Sequence, residues 1–331
     1  MSNLSNGSAS SPPRGFPLDI PGSIIWSIIG TIIIINNIAV LAIILSKKKL
    51  YTPTNIIMSS MFFDNILFAC VYIYPRFTNT RFIESWLYCS LTTVVGPLSL
   101  GIINLHLMAA SVDKYMAMRY PILYRNYSSV KLSISITITI WILTFFVAFL
   151  PIFTYRPLRP GICLQWLSGS QQYKEQIYNY TIIFFFFLVP MVVMVYSYVR
   201  VYMIAKSHSI GGDDIIKGST KRDSRHHYKT AYVLMTLALV YFITWIPFIT
   251  CYIFSLAISP LDLFKGRYPN YPTAVKVSQY LAFSYPAINP ILYGYFIPTI
   301  RRAFRKLYDG ICHANRVTVQ SIDGIAMQSA S

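Results

Sequence analysis

The chain has 331 residues, 55% of them hydrophobic and only 12% charged, with a formal net charge of +17. Soluble domains carry roughly a quarter charged residues, so an ordinary water-soluble fold is excluded. The basic surplus is cut into short stretches between long apolar runs, which fits a rim around a membrane and not a nucleic-acid surface.

Residues 1–22 are polar and carry Pro12 and Pro13, with no apolar core before a small-residue cleavage site, so no cleavable signal peptide is read there. They are expected to form an extracellular N-tail, in which Asn3-Leu4-Ser5 and Asn6-Gly7-Ser8 are glycosylation acceptors at Asn3 and Asn6. Seven runs long enough for a bilayer core follow, over about 23–46, 53–75, 88–112, 131–153, 177–204, 229–256 and 273–297. The fold class is therefore all-α: a polytopic seven-helix membrane bundle occupying residues 23–297. Lys47, Lys48 and Lys49 follow the first run directly. With the N-terminus outside, 19 of the 28 Lys and Arg fall on the inner side, which is the positive-inside bias.

Polar residues inside these runs carry the functional information, because a charge at bilayer depth costs several kcal/mol. Asp64 in Met61-Phe62-Phe63-Asp64-Asn65-Ile66 is the clearest, and Asn37 and Asn289 are its expected partners by depth. A carboxylate ringed by amides holds a sodium ion or a proton, or else serves as a structural hydrogen-bond hub. In the third run, Asn104 and His106 are expected to bond neighbouring helices, with Trp141 as the partner of His106. Pro75, Pro97, Pro151, Pro190, Pro247, Pro286 and Pro290 each remove a backbone hydrogen bond and kink a helix. Trp245-Ile246-Pro247 places a bulky ring beside such a kink, where it reports ligand position to the helix below.

Of five cysteines, Cys89 and Cys163 are the two on the expected oxidising side and form the one reasonable pair. Cys70 and Cys251 lie in apolar runs. Cys312 follows the basic stretch Arg301-Arg302-Ala303-Phe304-Arg305-Lys306 and is a palmitoylation candidate. Residues 298–310 read as an amphipathic helix on the inner leaflet with Ile300, Phe304 and Leu307 as its apolar stripe, and 311–331 as a cytoplasmic C-tail. No nucleophile–base set, phosphate-binding glycine loop or HExxH motif appears, so an enzyme reading lacks a site, and no cofactor is expected beyond a sodium ion near Asp64.

Taken together these residues resemble the rhodopsin-like (class A) G protein-coupled receptor family over about residues 23–312. Asn37, Asp64, Trp86 with Cys89, Pro121 and Tyr124, Trp141, Pro151, Cys163, Pro190, Tyr198, Trp245 with Pro247, and Asn289-Pro290-Ile291-Leu292-Tyr293 fall in the family's order and separations. Asp113-Lys114-Tyr115 stands where the family carries Asp-Arg-Tyr. The resemblance implies a ligand site between the outer helix ends, and a transmission core of Trp245, Pro247, Asn289 and Pro290. It implies coupling to a heterotrimeric G protein through Asp113, Lys114, Tyr115, Tyr198 and Tyr293, with arrestin as a further partner. The departures are specific. Lys114 replaces arginine, and Tyr241 and Thr244 stand where Phe and Cys are usual. Ile103 occupies the place of a sodium-site serine, Gly96 that of the amine receptors' aspartate, and Phe283 that of the opsins' retinal lysine.

Two other readings compete: an ion- or proton-coupled transporter using Asp64, and a receptor-shaped protein that does not couple. The extracellular side holds more basic than acidic residues, which mildly favours an anionic ligand.

Overall fold

A computed structural model describes residues 20–78, 86–156, 170–210, 221–258 and 266–305, and side chains throughout these ranges except at 86–91, 207–210 and 221–228. Asn3, Asn6, Cys163 and Cys312 lie outside the described residues, as does the side chain of Cys89. Long helices dominate: α1 (Ile20–Ser46), α2 (Pro53–Thr78), α3 (Trp86–Arg119), α4 (Val130–Thr154), α5 (Ser170–Lys206 as a span), α6 (Lys221–Ala257) and α7 (Tyr271–Phe296). A short helix, Pro121–Tyr127, lies between α3 and α4.

Local sequence explains the starts. Thr52 caps α2 by accepting from the Asn55 backbone N–H at 3.3 Å, with Pro53 in the first turn where its missing N–H costs nothing. Ser129 caps α4 the same way, accepting from Leu132 N–H at 3.1 Å. Two helices contain a π-helical turn, Ala69–Ile73 in α2 and Phe184–Leu188 in α5. Each ends two residues before a proline, Pro75 and Pro190. A proline ring clashes with the carbonyl four residues back, here Val71 and Phe186, and the widened turn makes room for it.

By length and apolarity six of the helices are membrane-spanning, α1 to α6. The seventh, α7, is long enough but carries Lys276, Ser278, Gln279, Ser284 and Asn289. It packs between α1 and α6, so its polar residues have protein neighbours.

The bundle is apolar outside as well as in its core, and its fully buried polar side chains stand within that core. Ile28, Ile35, Ile138, Phe146 and Phe153 point outward with half or more of their surface exposed. Asn37, Asn65, Asn104, His106 and Asn289 are fully buried. An apolar patch of that extent belongs in lipid. Lipid provides no hydrophobic drive between helices, so close packing and interhelical bonds hold them together. Gly101 is one such contact: a Cβ there would lie 2.8 Å from Thr144 of α4 and 3.0 Å from Phe186 of α5.

Residues 298–305 are helical, with Ile300 and Ala303 buried and Phe304 against Gly294 of α7. Leu307, the third residue of the expected apolar stripe, lies outside the described residues.

Candidate functional site

Prolines set the polar wiring. Pro290 has no N–H, which leaves the Pro286 carbonyl without its helical partner. Asn37 of α1 supplies one, donating from Nδ2 at 2.9 Å, while the same nitrogen reaches Ile33 O at 2.7 Å. Asn36 donates to the next carbonyl, Ala287 O, at 3.1 Å. Asn65 of α2 then donates to Asn37 Oδ1 at 2.9 Å, so three helices meet on one amide. Lower on α7, the Tyr293 hydroxyl donates to Asn55 Oδ1 of α2 at 2.7 Å and its ring meets Phe62 edge-on. Pro151 follows the same rule in α4. It frees the Val147 carbonyl, and the Tyr178 hydroxyl of α5 donates to Val147 O at 3.2 Å and Ala148 O at 3.3 Å.

Asp64 does not bond the two asparagines expected by depth. Its Oδ1 accepts from Ser99 Oγ of α3 at 3.2 Å, and its Oδ2 is buried without a partner. Asn37 is occupied by α7 backbone, and Asn289 Nδ2 points at Met61 Sδ at 3.7 Å. Ser99 lies one turn before Ile103, on the same helix face.

Asn104 does bond a neighbouring helix. Its Nδ2 donates to the Tyr241 hydroxyl of α6 at 2.6 Å and to Leu100 O of its own helix at 2.8 Å. The expected His106–Trp141 pair is not formed. His106 Nδ1 lies 2.7 Å from Ile102 O, four residues back, and Trp141 Nε1 donates instead to Ser60 Oγ of α2 at 2.8 Å. A hydrogen bond to its own preceding turn was open to the buried imidazole without help from another helix.

Near one end of the bundle is a cavity of about 340 Å3, among the walls of which are Phe68 and Tyr72 of α2, Gly96 of α3, and Trp245, Phe248 and Phe283. That volume is in the range of small-molecule sites. Its polar corner is built by three helices. Arg156, just after α4, pairs with Glu175 of α5 at 2.8 Å, and the Tyr155 hydroxyl donates to Glu175 Oε2 at 2.8 Å. Burial and this carboxylate hold the Tyr155 phenol well above its ordinary pKa. Asn179 donates to Glu175 Oε1 at 3.2 Å and accepts from the Tyr252 hydroxyl of α6 at 2.8 Å.

The cavity is connected inward through rings. Trp245 stacks on Tyr241 with centroids 5.5 Å apart, and Tyr241 meets Tyr285 edge-on at 5.0 Å. Trp245 and Phe283 are themselves in contact at 5.9 Å. Trp245 is thus joined to α3 through the Tyr241 ring and the hydroxyl that accepts from Asn104.

At the opposite end, Asp113 is held from three sides. Lys114 Nζ lies 2.9 Å from Oδ2, Thr54 Oγ1 of α2 donates to Oδ2 at 2.7 Å, and the Tyr124 hydroxyl of the short helix donates to Oδ1 at 2.8 Å. Burial, then the charge of Asp113, raises the Tyr124 phenol well above its ordinary pKa. Lys114 is only 5% exposed, so it is more tightly held than a flexible point charge at an open surface. Tyr115 meets Tyr196 and Tyr120 edge-on, and the buried Tyr198 hydroxyl has no hydrogen-bond partner.

The structure thus separates the predicted residues by position into a group beside the cavity (Trp245 with Pro247), a central polar layer (Asn37, Asp64, Asn289, Pro290) and a cluster at the opposite end (Asp113, Lys114, Tyr115). Ser99, Asn65, Thr54 and Tyr178 are members to which the sequence assigns no role by itself. Each is a common polar residue whose role comes from its neighbour on another helix.

Residues 36–293 match the family described as 7 transmembrane receptor (rhodopsin family). The chain is 26% identical to trace amine-associated receptor 9 of Rattus norvegicus over 314 residues, covering 88% of each protein. It is 25% identical to trace amine-associated receptor 1 of Mus musculus over 304 residues, 86% of this chain and 89% of the relative. With trace amine-associated receptor 8a of Rattus norvegicus the identity is 27% over 297 residues, 83% of this chain and 82% of that one.

Proposed function

This chain belongs to the rhodopsin family of seven-transmembrane receptors and is a G protein-coupled receptor, and we propose how its geometry serves that role. The protein is a multi-pass membrane receptor and not an enzyme, and transport is not favoured. It resides in the plasma membrane with the cavity end outside. The basic residues Lys47, Lys48, Lys49, Arg119, Arg125 and Arg301 at the other end support that orientation.

A small molecule enters the cavity and bears on Trp245 and Phe283. The carrying observation is the unbroken run from cavity to bundle centre, Trp245 on Tyr241 on Asn104. Pro247 leaves the Ile243 carbonyl without its helical donor and gives α6 a pivot just above Tyr241. Ligand that favours one side of this pivot shifts the receptor between its states in proportion to its differential affinity.

At the cytoplasmic end, release of Lys114 from Asp113 presents a cation to the heterotrimeric G protein, with Tyr115, Tyr198 and Tyr293 shaping the opening. Arrestin competes for the same face. Asp64 Oδ2 and Asn289 Oδ1 are buried acceptors without partners, an oxygen donor set suited to a sodium ion or a proton. A Cys89–Cys163 disulfide, glycans on Asn3 and Asn6 and an acyl chain on Cys312 complete the reading. The relatives' names speak of trace amines. Gly96, which stands where amine receptors carry an aspartate, argues that this chain does not share that ligand.

Nucleotide exchange on purified G protein by the receptor in lipid nanodiscs tests the coupling. Exchange without ligand should be measurable, because the Lys114–Asp113 pair lies within α3 and does not tie α3 to α6. Lys114→Ala should lower exchange, and Lys114→Arg should keep or raise it, since a guanidinium adds planar, two-pronged bonding. Exchange by the alanine variant equal to the parent's, at equal receptor amount, shows that this position does not carry coupling.

A further inference from the structure

The charged groups around the cavity are few and unequally committed. Glu175 is its one lining carboxylate among the described residues, and both of its oxygens are taken. Oε1 receives Arg156 at 2.8 Å and Asn179 at 3.2 Å, and Oε2 receives the Tyr155 hydroxyl at 2.8 Å. Arg76, the second lining cation, lies over the ring faces of Tyr72 at 5.5 Å and Phe77 at 5.8 Å. No carboxylate among the described residues pairs with it. Gly96 adds no polar group, although its position is open: a Cβ there would make ordinary contact with the Tyr72 ring at 3.6 Å.

Resting on the reading of this cavity as the ligand site, we infer that its ligand is an aromatic carboxylate, held at Arg76 through the acid and against Trp245, Phe248 and Phe283 through the ring. A guanidinium supplies a planar two-pronged donor set that matches a carboxylate. Seated on ring faces, Arg76 is oriented without having its charge neutralised. With the Arg156–Glu175 pair cancelling itself, the described lining residues carry one net positive charge. An ammonium ligand finds the reverse. To reach a carboxylate among the described residues it must break the Arg156 pair and strip Glu175 of its donors, and it meets Arg76 as a like charge.

The experiment measures thermal unfolding of the full-length receptor in nanodiscs with ring-matched triplets: 3-phenylpropionate and 3-(indol-3-yl)propionate, their primary amides, and the corresponding amines. Nucleotide exchange is recorded in parallel. Carboxylates should stabilise the receptor, and amides and amines should not. Arg76→Gln should weaken the carboxylates by about tenfold or more, the scale of one charge-assisted bond. Arg76→Lys should retain part of the effect and shows that the position tolerates change. Glu175→Gln, which releases Arg156 from its acid, should strengthen them.

Stabilisation by amines, carboxylate binding indifferent to Arg76→Gln, or no stabilisation by any triplet overturns the inference. If exchange is active while the carboxylates fail, only the ligand class is wrong. If no exchange occurs with or without any triplet, the failure lies with the coupling reading instead.

Discussion

The α1–α2–α7 junction and the α3–α6 junction are both buried and both contain asparagine, yet they are joined differently. At the first, Asn37 touches backbone and side chains of three helices, Asn36 adds a second bond to α7, and Tyr293 adds a third through Asn55. Most of these acceptors or donors are backbone carbonyls or neutral amides fixed by proline-broken turns. At the second, the bond from Asn104 to Tyr241 sits among stacked rings. Below it, α6 is packed by buried Ala231, Val233, Leu234, Leu237 and Ala238. Rings and aliphatic chains slide past one another at small cost, whereas several directional bonds break together. Buried atoms without a partner occur on both sides, at Trp245 Nε1 and the Tyr198 hydroxyl on α6 and α5 and at Asp64 Oδ2, Asn65 Oδ1 and Asn289 Oδ1 on α2 and α7, so they do not separate the two junctions. An arrangement that paired them would gain energy, since an unsatisfied buried polar group costs about 1–3 kcal/mol. From this difference in bonding we propose that α1, α2 and α7 form the frame and that α6 is the part that moves.

The sharpest way to break this contrast is Asn37→Ala. It removes the donor to Pro286 O and the acceptor of Asn65 at once, and it should destabilise the receptor by about 2–3 kcal/mol. The measurement is unfolding in nanodiscs, and an unchanged unfolding temperature would remove the frame from the account.

Tyr241→Phe tests the other side. The ring stays on Trp245 and only the bond to Asn104 goes, so stability should fall by about 1 kcal/mol or less. Ligand-free nucleotide exchange should rise by about fivefold at most, the Boltzmann factor of that energy. Unaltered exchange together with a large loss of stability would place Tyr241 in the frame and not at the hinge.

Asp64→Asn should disturb the fold least. The amide still accepts from Ser99, so the unfolding change should stay under about 1 kcal/mol. Signalling should change, because the charge and its proton are gone while the shape is kept. Ligand-free and stimulated exchange both equal to the parent's at matched receptor levels would leave Asp64 as a structural hub.

Much of this molecule could be read in one dimension. Apolar length alone predicts the helices, because lipid satisfies no backbone group and a helix satisfies its own. The helices run past the expected bounds, as at Arg119, where the third run was expected to end near 112. Hydropathy marks where lipid begins and ends, while the helix continues wherever its bonds continue. The family's motif residues were equally visible, since their order and spacing survive without coordinates.

Pairing was not legible. Asp64 with Asn37 and Asn289 was a reasonable match by depth, and the structure gives Asp64 to Ser99 and Asn37 to the Pro286 carbonyl. His106 turns to its own helix, and Trp141 finds Ser60. Depth along a helix follows from residue number at a fixed rise per residue, which is why sequence fixes it. Which helix faces which, and at what rotation, follows from close packing at contacts such as Gly101 against Thr144 and Phe186. Rotation by one residue carries a side chain through about 100°, from one neighbour to another. The sequence determined which residues lie at bilayer depth, and only the packed bundle decided which of them meet.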